Sequence, residues 1–596
     1  MKIDLVAISQ NTIATILFIS TILPFFLNII VFFLNRYFLP QLTVISLALQ
    51  TTFLGLLVLG VTMPLHQEWN WFSPAYSLKP LTLGVYLDSN NLLTGILVAF
   101  ISTLVSFYSR AYMAQQPLRY WLFLSLFVAG MQLFIFAPNL IQTYLGWEIL
   151  GISSFFLIGF WHHQKENARA AIASFWLNRI GDAFLLIAIL IFYFYMPQLR
   201  IPILEPPPLP TSTGWFRIAL VGIIIGALTK AAQFPFQIWL PWAMAGPTPI
   251  SALMHAATLV AAGILLLLRF YPLFPSFLLE TLFFIGLISA LSGAIAACTL
   301  TDAKKILAFS TISQLGIMVM ALGLESPTCA YAHFLSHALF KAGLFLAVGA
   351  WVHLLHSLPP PSTNFHFDAQ DISSLGGFRK IFPFFSILFI LLLANLIGLP
   401  LTAGGITKSH FATLIFEKCD SKNFFTCFLN LSAILFLFLL TAFYATRLYL
   451  LICEGSPKWK QFFFSKDSFS TPILSFPLAI VLPVAALSFL SILIPYFLSY
   501  LTPIQTSVSS KSTILTNTSM LLGVGMAIFL FQKNKLIHPW GKNFSEVAQN
   551  HFFLPKTLYW LILQVGFFLS KGIFFFEAYI LDKIYIFSAA ICNTIS

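Results

Sequence analysis

Charge is scarce in this chain. Only 8% of its 596 residues are Asp, Glu, Lys or Arg, against about one quarter in a soluble globular protein. That poverty excludes an ordinary soluble fold. Acid is the scarcer sign, with 19 acidic residues against 31 basic ones and a formal net charge of +12. A nucleic-acid binder gathers its basic charge into a solvated patch. Here Lys and Arg stand singly between apolar runs, so no nucleic-acid partner is expected. Cysteine is sparse as well. The six (Cys298, Cys329, Cys419, Cys427, Cys453 and Cys592) show no CxxC spacing, so neither a zinc site nor an iron–sulfur cluster is read in this chain. Cys419 and Cys427 could meet in one loop, but nothing demands it, and no disulfide framework is read. The first apolar run begins near Asn11 and lacks a small-residue cleavage site. It is therefore read as a retained span rather than a signal peptide.

What the chain has in abundance is apolar length. Hydrophobic residues make up 59% of it and the mean hydropathy is +0.90. Runs of about 18 or more apolar residues recur, each able to cross a bilayer. The expected fold is an all-α polytopic membrane protein with about fifteen transmembrane helices. They fall near 12–35, 41–64, 89–113, 119–137, 139–161, 170–196, 215–248, 250–271, 276–300, 304–324, 328–356, 382–416, 424–454, 472–501 and 513–532. The seventh is interrupted near Pro235 and the twelfth near 400–405. The stretch with His66, Glu68 and Lys79 reads as a loop. Basic residues favour the loops after odd-numbered spans, for example Lys304 with Lys305 and Arg379 with Lys380. The positive-inside rule then puts those loops in the cytoplasm and the N-terminus on the other side.

The interrupted spans seven and twelve carry one lysine each, Lys230 and Lys408, and lie five spans apart. That is the pattern of two inverted five-helix repeats, whose broken helices mark an ion site. The chain divides accordingly into N-terminal helices (1–115), a first repeat (116–272), a second repeat (273–455), C-terminal helices (456–532) and a short lateral or amphipathic tail (533–596).

Ionisable residues inside spans are costly and point to function. Glu148 lies in span five, and Asp182, one turn after Arg179, in span six. Lys230 is in span seven and His255 in span eight. His333, His337 and Lys341 are spaced i, i+4, i+8 in span eleven and make one polar stripe on a helix. Water-poor surroundings disfavour the charged form of a lysine, and a nearby carboxylate restores it. A Glu–Lys pair is thus a proton switch set by geometry, and histidine suits a relay. Bland readings compete. Glu148 suits a buried arginine, Asp182 suits a local pair with Arg179, His255 suits an interhelical hydrogen bond, and Lys230 and Lys408 can in principle snorkel. Arg269 and Arg447, near span ends, read as orientation charges. Asp302, Lys304 and Lys305 read as a solvated turn.

Several segments resemble one family: GWEILGISSFFLIGFW, NRIGDAF, LTKAAQFPFQIWLPWAMAGPTPISALMHAATLVAAG, DAKKILAFSTISQLG, HFLSHALFKAGLFL and PLTAGGITKSHF. In this order, over about residues 80–455, they look like the antiporter-like subunit L (chain 5) of respiratory complex I, the proton-pumping NADH-quinone oxidoreductase. The resemblance implies a proton-translocating subunit in a cell inner membrane. Glu148 and Lys230 would form the input-side pair. His255, His333, His337 and Lys341 would form the central relay, and Lys408 the exit-side lysine. Asp182 would modulate charge. NADH, FMN, iron–sulfur clusters and quinone would belong to partner subunits, with no cofactor or metal here. Other membrane-arm subunits and the lipid bilayer would be the partners. Two positions usually or often acidic in the family are Trp242 and Ser409. The family's long lateral helix would be shortened here to residues 556–587, or replaced by one more span. The same module resembles subunits of multi-subunit Na⁺(K⁺)/H⁺ antiporters, membrane-bound hydrogenases and inorganic-carbon uptake complexes, so those functions stay open.

Overall fold

A computed structural model describes residues 10–34, 36–61, 63–72, 80–195, 214–358, 367–419, 424–460, 475–501 and 510–533, with a few isolated positions after these. The chain divides into two units, Met1–Pro539 and Trp540–Ser596. Almost all of the second, including the expected lateral segment at 556–587, lies outside the described residues.

The described part of the first unit is helical apart from one hairpin. Its helices are α1 (Gln10–Leu34), α2 (Leu39–Gly60), α3 (Ser89–Tyr112), α4 (Arg119–Ile135), α5 (Leu140–Ile158), α6 (Lys165–Tyr195), α7 (Gly214–Lys230), α8 (Trp239–Trp242), α9 (Thr248–Met254) and α10 (Leu259–Phe270). They continue as α11 (Ser276–Thr299), α12 (Ala303–Gly323), α13 (Pro327–His356), α14 (Phe378–Ile381), α15 (Pro383–Ile397), α16 (Ala403–Cys419), α17 (Phe424–Cys453), α18 (Leu478–Leu501) and α19 (Ser510–Gln532). Eleven described stretches are long and apolar enough to cross a membrane, and three shorter apolar helices join them. The all-α polytopic class holds. Spans seven and twelve are each divided, so neither is a single crossing helix.

Local chemistry sets the helix ends. Asp88, Asn139 and Asp302 accept from the backbone N–H groups of Asn91, Gln142 and Lys305 and so cap α3, α5 and α12. Proline opens α2, α9, α13 and α15, where its missing N–H costs nothing. Glycines let α11 and α12 touch. A Cβ on Gly286 would stand 2.6 Å from the Gly316 carbonyl oxygen, and one on Gly316 would stand 2.7 Å from that of Gly286. Small residues at such a seam are how membrane helices gain contact without a hydrophobic drive.

The hairpin corrects the expected loop. β1 (Leu65–Phe72) pairs antiparallel with β2 (Leu81–Leu87), from Leu65 opposite Leu87 to Phe72 opposite Leu81. The strand signal is weak because charged and polar residues interrupt it. Docking completes it: Gln142 donates to the Gly84 carbonyl and accepts from its N–H, and Tyr86 N–H donates to the Phe136 carbonyl.

Burial is graded across the bundle. The most apolar window is 94% buried in the α9–α10 stretch, in α12 and in α13, but only 22% in α1 and 28% in α19. The α9–α10 stretch, α12 and α13 therefore form the centre, and α1 and α19 lie at the periphery.

Three breaks interrupt that centre. The first follows α7, where Ala232 takes a positive φ of 51°, strained for a residue with a side chain. Carbonyls freed there find donors in Trp239 Nε1, which reaches Thr229, and the Gln233 amide, which reaches Ala231. The second falls between α15 and α16, where Gly398 at φ +94° ends α15. Both lie where Pro235 and the 400–405 stretch predict them. The third, at 255–258, splits the expected continuous span at 250–271. No glycine or proline signals it; the Thr258 hydroxyl joins the Ala257 N–H on the Leu253 carbonyl there.

Cys427, near the start of α17, is disulfide-bonded, which overturns the reading of no disulfide. Loop proximity, not a CxxC spacing, is what the sequence offered there.

Candidate functional site

Lys230 is the last residue of α7, and its side chain is 1% exposed. Its Nζ donates to the Trp147 carbonyl at 3.0 Å and lies 4.3 Å from the Trp147 ring centre. Asp182 on α6 stands 3.6 Å from the same ammonium. Arg179 forms a salt bridge to Asp182 at 2.7 Å with one guanidinium nitrogen and to Glu148 with another. Trp147 Nε1 donates to Asp182 as well. Two carboxylates and two cations thus share one site, joined through Arg179. Lys230 and Asp182 are the direct neighbours, while Glu148 is held by Arg179. The site forms here because α5, α6 and α7 pack side by side and Gly151 leaves room. A Cβ at Gly151 would stand 2.6 Å from Arg179 Nη2.

The central stripe has another character. His333, His337 and Lys341 on α13 are all buried, as is His255. His333 Nδ1 lies 2.9 Å from the Thr407 hydroxyl, and Nε2 lies 3.2 Å from Gln314 Oε1. A ring contacted at both nitrogens can take a proton on one and release it from the other. Lys341 Nζ donates to Ser310 Oγ at 2.7 Å. His255 sits at the end of α9, with its ring 5.7 Å from that of Phe345. Its two ring nitrogens have no hydrogen-bond partner among the described residues. His337 faces the Ala256 backbone inside the same break. The third break therefore places His255 beside the stripe rather than within a helix wall.

Lys408 lies in α16, fully buried, and turns back toward the second break. Its Nζ donates to the carbonyls of Leu396 at 2.6 Å and Ile397 at 3.1 Å. These are last-turn carbonyls of α15, the negative end of a helix dipole. Lys230 precedes its break and Lys408 follows its break, so the two lysines are not at matching points of the interrupted spans.

Three basic residues differ from their expected roles. Lys304 is 3% exposed, and its ammonium donates to the carbonyls of Gly246 at 3.2 Å and Met244 at 3.4 Å. It is not part of a solvated turn; it pins the Gly246–Pro247 knuckle. Arg447 is fully buried and donates to the carbonyls of Leu300 and Leu536. Arg269 donates to the Ile135 carbonyl. Each satisfies backbone oxygens with no helical N–H to accept from, so neither arginine is merely an orientation charge. Composition alone does not reveal this, because the partner oxygens come from distant helix ends.

Residues missed at first are Ser310, Gln314 and Thr407, which hold Lys341 and His333. A signal exists for two of them. Ser310, Ser313 and Gln314 recur at helical spacing in α12, and all are buried. Among the described residues no three His, Cys, Asp or Glu side chains gather as a metal-ligand set. Cys298, Cys329 and Cys453 are free and buried.

Comparison with known proteins points one way. Residues 137–436 match the family described as NADH:quinone oxidoreductase/Mrp antiporter, TM, and residues 71–123 match the N-terminal region of NADH-ubiquinone oxidoreductase (complex I) chain 5. The chain is 37% identical over 385 residues to NAD(P)H-quinone oxidoreductase chain 5 of a Picosynechococcus species, covering 63% of this chain and 56% of that one. It is 36% identical over 408 residues to NADH-quinone oxidoreductase subunit L of Mycobacterium tuberculosis, covering 67% and 62%. The match thus spans little more than half the length of these relatives. Two solved structures share the fold. The Mrp complex from a Dietzia species superposes with a TM-score of 0.72 at 23% identity, over 97% of this chain and 62% of that one. The membrane-bound sulfane sulfur reductase, an archaeal respiratory membrane complex, gives 0.67 at 20%, over 87% and 99%.

Proposed function

This chain belongs to the NADH:quinone oxidoreductase/Mrp antiporter membrane family, and on that premise we propose that it translocates protons as a membrane-arm subunit of an NADH-quinone oxidoreductase. Electron transfer from NADH to quinone in partner subunits would drive it, with FMN and iron–sulfur clusters held there. The observation that carries the reading is the set of ionisable side chains at membrane depth: the partly buried Glu148 and Arg179 with buried Asp182 and Lys230, then buried His255, His337, Lys341, His333 and Lys408. Ionisable side chains at membrane depth are retained where an ion path needs them.

Each part has a distinct task. Lys230 takes up or gives up a proton according to how closely Asp182 and Glu148 approach it, because a carboxylate stabilises the ammonium and its withdrawal does not. Arg179 bridges both carboxylates, so its position sets how much negative charge Lys230 feels. His333, His337, His255 and Lys341 pass the proton through the most buried helices. Lys408 receives it at the second break, where backbone carbonyls replace an acid as its partners.

Glu148 and Arg179 keep 17% and 25% of their side chains exposed, on a flank where Ile152 and Trp176 are open as well. A charge pair facing hydrocarbon is costly, and a neighbouring membrane-arm subunit on the α5–α6 flank would remove that cost. The two interrupted spans support inverted repeats over 116–272 and 273–455. The disulfide at Cys427 suits a non-cytoplasmic α16–α17 connection, consistent with an N-terminus outside the cytoplasm of an inner membrane.

The test is NADH-driven proton pumping in membrane vesicles carrying wild type or Lys230→Ala. Pumping and quinone reduction should both fall in the variant. Unchanged NADH oxidation and pumping would remove the chain from that enzyme, and Na⁺/H⁺ exchange and bicarbonate uptake on the same vesicles would then discriminate the remaining family functions.

A further inference from the structure

Among the described buried ionisable groups that the proton path does not use, Lys304 and Arg447 are held by backbone carbonyls, and His410 is not. His410 lies on α16, two residues beyond Lys408, and is 8% exposed. Its Nδ1 is buried with no hydrogen-bond partner among the described residues. An unpaired buried polar atom costs free energy and calls for a reason.

Its neighbours along the helix supply one. At 100° per residue, Thr407, His410 and Glu417 fall on one side of α16, at offsets of three and seven residues. Lys408 projects from the opposite side and bends back to the α15 carbonyls. Thr407 is the residue that His333 Nδ1 meets at 2.9 Å. Its hydroxyl thus joins the central stripe on α13 to the very face of α16 that carries His410. Two turns further along the same side of the helix, Glu417 is exposed. Lys418 beside it pairs with Glu325 at 3.1 Å, which fixes this end of α16 at the polar surface where α12 also ends. Thr413, on the way, hydrogen-bonds Ser512 of α19 at 2.9 Å and is 3% exposed. From the His333 contact on α13, α16 therefore offers Thr407, His410 and Glu417 in order toward the surface, as a branch beside the one that ends at Lys408.

We propose that His410 is a proton-relay residue of the exit side, taking its proton from the His333–Thr407 contact and handing it toward Glu417. It supplies a titratable group next to Ser409, in a segment where the helix offers no acid before Glu417. The reaction is proton transfer alone: a ring nitrogen is protonated from the core side, and the proton leaves toward the surface. The inference rests on the reading that this chain moves protons.

The experiment uses membrane vesicles containing the whole complex, with the pumping rate divided by the amount of assembled complex. His410→Gln, which cannot titrate, should lower that rate at least about threefold, and His410→Glu, which can, should recover at least about half of it. His410→Asn carries the same expectation as Gln if the Gln variant fails to assemble. A role in packing alone predicts that Gln and Glu are equally impaired, or that Gln pumps at the wild-type rate. Either result overturns the proposal. Lys230→Ala is measured alongside. If it pumps normally, the proton-translocation reading itself fails; if it is impaired while His410→Gln is not, only the role of His410 fails.

Discussion

The α5–α7 cluster and the α13 stripe solve the same problem in opposite ways. In the first, every buried charge has an opposite charge near it: Arg179 holds Glu148 and Asp182, and Asp182 lies by Lys230. In the second, the hydrogen bonds of Lys341 and His333 go to hydroxyl and amide groups, and none of those described goes to a carboxylate. Lys408 continues that style with two backbone carbonyls. One region holds its charges as compensated pairs, while the other offers a proton only neutral partners. A cation in low-dielectric surroundings without a counter-ion is expensive. A proton resting in the first region and passing quickly through the second is the division of labour that follows.

The hardest way to break the comparison is to remove the bridge. Arg179→Ala leaves Glu148 and Asp182 beside each other with only Lys230 to balance them. Breaking a buried pair from one side typically costs about 3–5 kcal/mol. The complex should be destabilised on that order, and pumping should fall at least about tenfold. Thermal unfolding of the detergent-extracted complex, read with pumping in vesicles, checks both. Normal stability would mean that Arg179 is no structural keystone. Lys341→Met is the matching test on the other side. It removes a cation that leaves no acid stranded, and a flexible apolar side chain of similar length fills the space. Pumping should again fall at least about tenfold, yet stability should change by less than about 1 kcal/mol. Two equal losses of stability would erase the distinction between the regions.

A finer variant probes one hydrogen bond of the stripe. Ser310→Ala removes the acceptor at 2.7 Å from Lys341. The ammonium loses one of its hydrogen-bond acceptors but keeps its charge, so the variant should slow pumping several-fold, less than loss of the amine itself, if the ammonium form is populated during turnover. An unaffected rate would indicate that Lys341 does not need this contact to hold its proton.

Much of this arrangement is legible in the sequence because membrane physics is so restrictive. An apolar run with a lysine beside Pro235 can be little else than an interrupted span, and three ionisable residues at i, i+4, i+8 define a helix face without any structure. What is not legible is who satisfies whom. Lys304, Arg269 and Arg447 look like interfacial charges, but each ends on carbonyls of a distant helix terminus. Periodicity cannot show that, since it describes one helix at a time. The break at His255 is hidden for a related reason. The stretch 255–258 holds no residue type that interrupts helices by itself, and the Thr258 hydroxyl that bonds the Leu253 carbonyl across it is not a signal that periodicity reads. The bridging part played by Arg179 was equally out of reach, because its contact to Glu148 joins α5 to α6.

The gentlest prediction concerns Trp147, which touches both members of the closest acid–lysine contact. Its indole N–H donates to Asp182 and its backbone carbonyl accepts from Lys230. Trp147→Phe keeps the carbonyl and an aromatic face for the ammonium but deletes the N–H. Asp182 would keep Arg179 as a partner, so the charge balance survives, and the loss should be close to that of a single charge-assisted hydrogen bond, about 1.5–3 kcal/mol at most. With one fewer donor on the carboxylate, Asp182 is freer to approach Lys230 and hold its proton longer. Pumping should fall only about two- to threefold, less than for any variant above. A loss as large as that of Arg179→Ala would show that the indole, and not the guanidinium, fixes Asp182 relative to Lys230. The region of compensated pairs would then depend on a neutral hydrogen-bond partner after all, as the α13 stripe does.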